Sequence, residues 1–206
     1  RRDCYTVNAI FPIILGSLCE KHDCKFIHVT TDCVFSGRLV NETTETTVGA
    51  HSESSLKDET NDYGLSKALG ERGFGTIIRT SIIGEERSNK HSLLECVIKN
   101  RDGKMNGYVN HYWNGVTCLQ LAKLMHSMII RNYFWVGVRH IFSPRCVTKY
   151  ELVSLINRTY QLNIDVVPYL TGEDIDKTMF TEFYDTRPYL SQIPDLTVQL
   201  DELKAY

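Results

Sequence analysis

Thr31, Tyr63 and Lys67 are the residues of this chain whose types and spacing could do chemistry together. Tyr63 and Lys67 stand four apart in Tyr63-Gly64-Leu65-Ser66-Lys67, so on a helix they share one face. A phenol ordinarily titrates near ~10. An ammonium beside it favours the phenolate, and the expectation is a tyrosine brought toward working pH. Such a tyrosine can act as general acid toward a developing alkoxide. Thr31 can hold the same oxygen by a hydrogen bond. The hydride would come from a nicotinamide cofactor, NADPH or NADH. The chemistry expected is carbonyl reduction.

The Tyr-x-x-x-Lys spacing alone recurs by chance, and its ordinary meaning is a solvated Tyr and Lys on a helix. The elements around it give it weight. Lys25 to Thr30 reads KFIHVT, a short β-branched run suited to a buried strand. Thr31 and Asp32 follow directly, where ligands sit in open α/β sheets, outside the carboxyl ends of strands. Thr60, Asn61 and Asp62 offer caps for a helix over 62–72. Upstream, apolar residues from Val7 to Leu18 recur at three and four, predicting a helix over 4–22 in which Pro12 causes a kink or a late start. Downstream, TIIRTS over 76–81 reads as a second buried strand, continued by Ile82-Ile83-Gly84. Further helices are expected over 93–99, 116–130 and 149–160, and strands over 105–109, 136–142 and 164–167. Residues 36–61 read as a long polar loop bordering the site. Residues 171–206 are polar, with weak helical signals.

This alternation predicts an α/β fold with a Rossmann-like parallel sheet and a small α+β lobe. The division expected is a partial dinucleotide-binding domain over 1–84, carrying the catalytic residues, and a substrate lobe over 85–206. The lobe is partly interleaved, with strand 136–142 a candidate to return to the main sheet.

Composition narrows the classes. The 206 residues carry a formal net charge of −2, which argues against a nucleic-acid partner. No apolar run approaches the ~18 residues of a membrane span, and no segment reads as a signal peptide. Seven cysteines are scattered without a Cys-x-x-Cys pair, as expected of reduced thiols in a cytoplasmic protein. His22 and Cys24 lack a second ligand pair, so no metal site is expected. Asn41-Glu42-Thr43 and Asn157-Arg158-Thr159 match the glycosylation pattern by chance in such a chain.

No glycine-rich turn after a first strand opens the chain. Gly70, Gly73 and Gly75 are closely spaced but follow a helix and precede a strand, the reverse of the phosphate-binding order, so they read as a helix stop. The expectation is a piece of a longer protein, or a protein that has lost half its cofactor site.

Taken in order, Val7-Asn8-Ala9, the run from Phe26 to Gly37 (FIHVTTDCVFSG), the run from Asp62 to Glu71 (DYGLSKALGE) and Ile78-Arg79-Thr80-Ser81-Ile82-Ile83-Gly84 carry a family resemblance, with Asn114-Gly115-Val116-Thr117 a looser match. The chain resembles the dTDP-4-dehydrorhamnose reductase family of extended short-chain dehydrogenases/reductases, over residues 3 to about 170. The resemblance implies that Thr31, Tyr63 and Lys67 are catalytic. It implies that Tyr63 and Lys67, with Thr30 and Thr80, meet the cofactor, and that Thr31, Asp32, Cys33 and Ile82 face a nucleotide-sugar substrate. The family often has Tyr where Cys33 stands and an aromatic residue where Ile82 stands, so these two positions bear on which sugar is taken. Related 4,6-dehydratases place Glu after Thr-Asp, a role Cys33 cannot fill. The function implied is NAD(P)H-dependent reduction of a 4-keto-6-deoxy nucleotide sugar, in a possible homodimer. Two alternatives remain open: a non-catalytic regulatory subunit like the methionine adenosyltransferase β subunit, and a nucleotide-sugar epimerase.

Overall fold

A computed structural model describes residues 2–38, 50–72, 74–88 and 90–206. The middle of the predicted 36–61 loop, the Asn41 acceptor pattern and the Gly73 helix stop lie outside the described residues. In chain order the helices and strands are α1 (Arg2–Tyr5), α2 (Phe11–Lys21), β1 (Ile27–Thr31), α3 (Asp62–Gly70), β2 (Thr76–Thr80), β3 (Ile82–Ile83), α4 (Leu93–Lys99), β4 (Lys104–Tyr108), β5 (His111–Trp113), β6 (Val116–Thr117), α5 (Cys118–Ile130), β7 (Gly137–His140), β8 (Val147–Thr148), α6 (Lys149–Tyr160), β9 (Asp165–Tyr169), β10 (Ile175–Asp176), α7 (Arg187–Leu190) and α8 (Leu196–Ala205).

The sheet that positions the site is fully parallel, in the order β1-β2-β7. Its register sets Thr31 level with Thr80, so both hydroxyls stand at the same carboxyl edge. Strand β2 is buried along its whole length, as a central parallel strand with helices on both faces must be. Chain order runs β1, α3, β2, then through the other elements and α5 to β7. A second apolar core forms where Ile83, Trp113, Val147, Leu152 and Leu200 pack among α4, α6 and α8. Around it lie β10-β5-β8 and the pairs β3-β6 and β4-β9.

Three expectations need correction. The second strand does not run through to Gly84: β2 ends at Thr80, and Ile82–Ile83 pairs instead with Val116–Thr117. The break falls at Ser81, whose carbonyl accepts from the Val116 N–H at 2.9 Å. For the same reason the helix expected from 116 begins at Cys118; Val116–Thr117 is strand, and the Thr117 side chain caps the helix by accepting from the Gln120 N–H. Near the start, Pro12 does not delay the helix. Helical structure begins at Arg2, and a π-helical turn at Thr6–Ile10 lies just before the proline. A residue without an N–H is tolerated where the hydrogen-bond ladder is already irregular.

Candidate functional site

Helix α3 starts where it does because Asn61 caps it, accepting from the Gly64 N–H at 2.8 Å. This fixes Tyr63 and Lys67 in the first two turns. Gly64 makes the placement possible: a Cβ there would collide with the Cys33 carbonyl oxygen and with Glu59, so only glycine lets the helix start lie against the turn after β1. A polar seam fixes the other face. Ser66 donates to the Tyr63 carbonyl at 2.9 Å, Asn8 donates to Ser66 Oγ at 3.1 Å, and Cys4 Sγ lies 3.1 Å from the same hydroxyl. Gly70 allows α3 to cross this N-terminal helical run closely, its Cα facing the Asn8 carbonyl.

Thr31 ends β1 and caps a 3-10 turn at Asp32–Val34. Its Oγ1 accepts from the Cys33 N–H at 3.1 Å and donates to Asp32 Oδ1 at 3.1 Å. Val29, Thr30, Thr31, Asp32, Cys33, Tyr63, Lys67, Thr80, Ser81 and Ile82 line one cavity of about 320 Å³. The structure thus brings together Thr30, Thr31, Asp32, Cys33, Tyr63, Lys67, Thr80 and Ile82, which lie far apart in the chain. It adds Val29 and Ser81, which the sequence reading left without a role.

The electrostatics differ from expectation in one respect. The Tyr63 phenol is held above its ordinary value, first by burial and then by the Cys33 thiol and Asp32, with its hydrogen bond to Thr31 pulling the other way. Lys67 is not what sets it, and its own ammonium is pushed down by burial, with Cys4 and Glu71 opposing. Tyr63 therefore holds its proton at neutral pH. That is the form a proton donor needs.

Behind the cavity lies a buried charge network that the sequence reading missed. Arg79 on β2 is 1% exposed. It donates through Nε to Glu71 Oε1 at 2.8 Å and through Nη2 to Glu71 Oε2 at 2.6 Å. Its Nη1 donates to His140 Nε2 at 2.8 Å, and His140 Nδ1 donates to the Phe180 carbonyl at 2.8 Å. The Phe35 ring lies 5.1 Å from the guanidinium. Glu71 directly follows α3, so this pair ties the helix bearing Tyr63 and Lys67 to the central strand. Burial pushes the Glu71 carboxyl up, but Arg79 and then Lys57 outweigh it and hold it below its ordinary value.

Burial, then the neighbouring Arg79, lowers His140 to a pKa of about 4. Unfolded, a histidine titrates near ~6.5, so between these values the unfolded chain binds more protons and folding weakens as pH falls. Glu71 acts in the same direction at lower pH, because a depressed carboxylate loses its contribution as it protonates. Urea midpoints should hold steady above pH 7 and fall between pH 6.5 and 4, with His140 accounting for on the order of 3 kcal/mol. A midpoint unchanged from pH 7 to 4.5 would show that His140 is not held neutral.

A family model described as the RmlD substrate binding domain matches residues 1–173. The chain belongs to that family. No curated protein sequence matches it. Among solved structures, the RmlD-family chain is similar to a dTDP-4-dehydrorhamnose reductase from Clostridium acetobutylicum. The TM-score is 0.73 at 18% identity, over 98% of this chain and 72% of that one. The same enzyme from Bacillus anthracis, solved in complex with NADP, gives 0.71 at 19% identity, over 96% and 71%. A UDP-glucose 4-epimerase from Thermotoga maritima, solved with UDP-glucose, gives 0.72 at 16% identity, over 100% and 70%. At these identities the likeness shows the fold: this RmlD-family chain has the Rossmann-like α/β architecture of those enzymes.

Proposed function

We propose that the protein reduces the 4-keto group of a 4-keto-6-deoxy nucleotide sugar with NADPH or NADH. The observation that carries this reading is the convergence of Thr31, Tyr63 and Lys67 on one cavity at the carboxyl edge of a parallel sheet. The cavity suits a nicotinamide and its ribose in two respects. Thr30 is 3% exposed and its Oγ1 has no hydrogen-bond partner among the described residues. The Lys67 ammonium makes no ion pair or hydrogen bond among the described residues. Thr30, Lys67 and Thr80 would hold the cofactor, which supplies hydride when bound.

The protein's own residues do the rest. Tyr63, kept protonated, gives the proton on its Oη to the carbonyl oxygen as that oxygen gains charge. Thr31 can turn its hydroxyl from Asp32 Oδ1 to the same oxygen, its cap to the Cys33 N–H holding it in place. Lys67 keeps a positive charge one helical turn from the phenol that must become phenolate. Asp32, Cys33 and Ile82 form the wall that meets the sugar.

The relatives named above support this substrate class, since one is a dTDP-4-dehydrorhamnose reductase bound to NADP. The test is NAD(P)H oxidation by the complete protein with a 4-keto-6-deoxy nucleotide sugar. Loss of the NAD(P)H absorbance with formation of a 4-hydroxy product supports reduction. A product with inverted configuration and no net cofactor oxidation means epimerisation. Neither change, with cofactor still bound, means a binding subunit.

A further inference from the structure

Helix α8 lines no part of the cavity, yet one of its side chains reaches back to the cavity wall. Its apolar face packs through Leu196, Leu200 and Leu203 into the second core. Gln199 stands on the same helix and is fully buried. Its Oε1 accepts from the Thr117 N–H at 3.0 Å. Its Nε2 donates to Ser143 Oγ at 2.9 Å and to the Pro194 carbonyl at 2.8 Å. Ser143 in turn donates to the Gly115 carbonyl at 2.6 Å.

A buried and satisfied glutamine ordinarily serves stability. What this one holds gives it a second part. Gly115 to Thr117 back the cavity wall. The Val116 N–H donates to the Ser81 carbonyl at 2.9 Å, and Val116–Thr117 pairs with Ile82–Ile83. A Cβ at Gly115 would collide with that same Ser81 carbonyl oxygen, so the two backbones lie directly against each other. Ser81 and Ile82 line the cavity. Strands β3 and β6 are two residues each, too short for ladder bonds alone to fix where they stand. Gln199 supplies the missing anchor from behind. The hydrogen bonds it makes among the described residues go to neither β1 nor α3, which carry Thr31, Tyr63 and Lys67.

We propose that Gln199 is a positioning residue for the substrate. Through Thr117 and Ser143 it sets where Ser81 and Ile82 stand, and so how closely the wall fits the sugar. The inference rests on the nucleotide-sugar reading above, with Ile82 in the wall that meets the sugar.

Gln199→Met keeps the side-chain length and removes all three hydrogen bonds. Ser143→Ala removes only the Gly115 leg. Leu203→Ala, one turn along the same helix, costs core packing and leaves the hydrogen bonds in place. Calorimetric titration of the complete protein with dTDP-glucose, UDP-glucose and NADPH needs no turnover. Gln199→Met should weaken the nucleotide sugars by about 3- to 30-fold, the range of a coupling passed through direct contacts. Ser143→Ala should give a smaller loss in the same direction. Leu203→Ala should stay within about two-fold, and NADPH should bind all three variants as it binds the parent. With Ile82→Ala already present, Gln199→Met should add less than about two-fold, because the wall it acts through has been cut back. Amide exchange should quicken at Val116 and Thr117 in Gln199→Met while the amides of β1 keep their rates. Unchanged nucleotide-sugar affinity in Gln199→Met overturns the proposal. So does an equal loss in Leu203→Ala, full additivity with Ile82→Ala, or exchange that quickens everywhere alike. Each of these leaves the reductase reading standing. A parent protein that binds neither nucleotide sugar removes that reading, and this role with it. One that binds them, weakens in Gln199→Met and oxidises no NAD(P)H keeps the positioning role and removes the reductase reading.

Discussion

Tyr63→Phe should leave a folded protein that has lost its turnover. Tyr63 is 47% exposed, and the substitution removes only its hydroxyl. The helix start is held by Asn61, Gly64 and Ser66 rather than by that hydroxyl. Stability should therefore change by no more than about 0.5 kcal/mol, as for an exposed substitution. The proton donor is gone, and general-acid catalysis of this kind contributes about 10²- to 10⁴-fold. Steady-state NAD(P)H oxidation should show that loss in kcat, with KM for the nucleotide sugar little changed. A Tyr63→Phe protein with near-normal kcat would remove Tyr63 from the mechanism.

Arg79→Met should have the opposite profile, costing stability first. It strands the Glu71 carboxylate, itself 7% exposed, with only the half-exposed Lys57 as a partner. Breaking a buried pair in this way costs about 3–5 kcal/mol, whereas replacing both partners by apolar residues costs far less. The pair Glu71→Leu with Arg79→Met should therefore recover much of the urea midpoint lost by Arg79→Met alone. Activity should not recover in step, because the charged clamp ties the end of α3 to β2. A double variant no more stable than Arg79→Met would show that the clamp is not the source of the cost.

The contrast between these two variants follows what could be read from the chain. Thr31, Tyr63 and Lys67 were legible because each lies at a boundary with local signals: a β-branched run that stops, and a cap that starts a helix. Thr30, Asp32, Cys33, Thr80 and Ile82 came from the family resemblance rather than from local signals, and they line the same cavity. The short strands β5, β6, β8 and β10 were not legible, and β3 was read only as a continuation of β2. Two or three residues carry no periodicity, and their pairing is set by the core they close around rather than by their own composition. The raised Tyr63 phenol could not be foreseen either, because it depends on burial and on the charges that Cys33 and Asp32 bring near it in the fold. The Arg79 clamp did leave a trace: an arginine inside the apolar run TIIRT, eight residues after a glutamate, must find a partner if the strand is central.

The turn after β1 bears on how this site can diversify. Cys33 supports Thr31 only through its backbone N–H, at 3.1 Å, while its thiol makes a longer contact of 3.6 Å to Asp32. Every amino acid except proline can supply that N–H. The residue proposed to meet the sugar can thus be exchanged while the Thr31 hydroxyl keeps its anchor. In a lineage under pressure to accept a new sugar, position 33 is a place where a mutation can alter preference without first passing through an inactive ancestor.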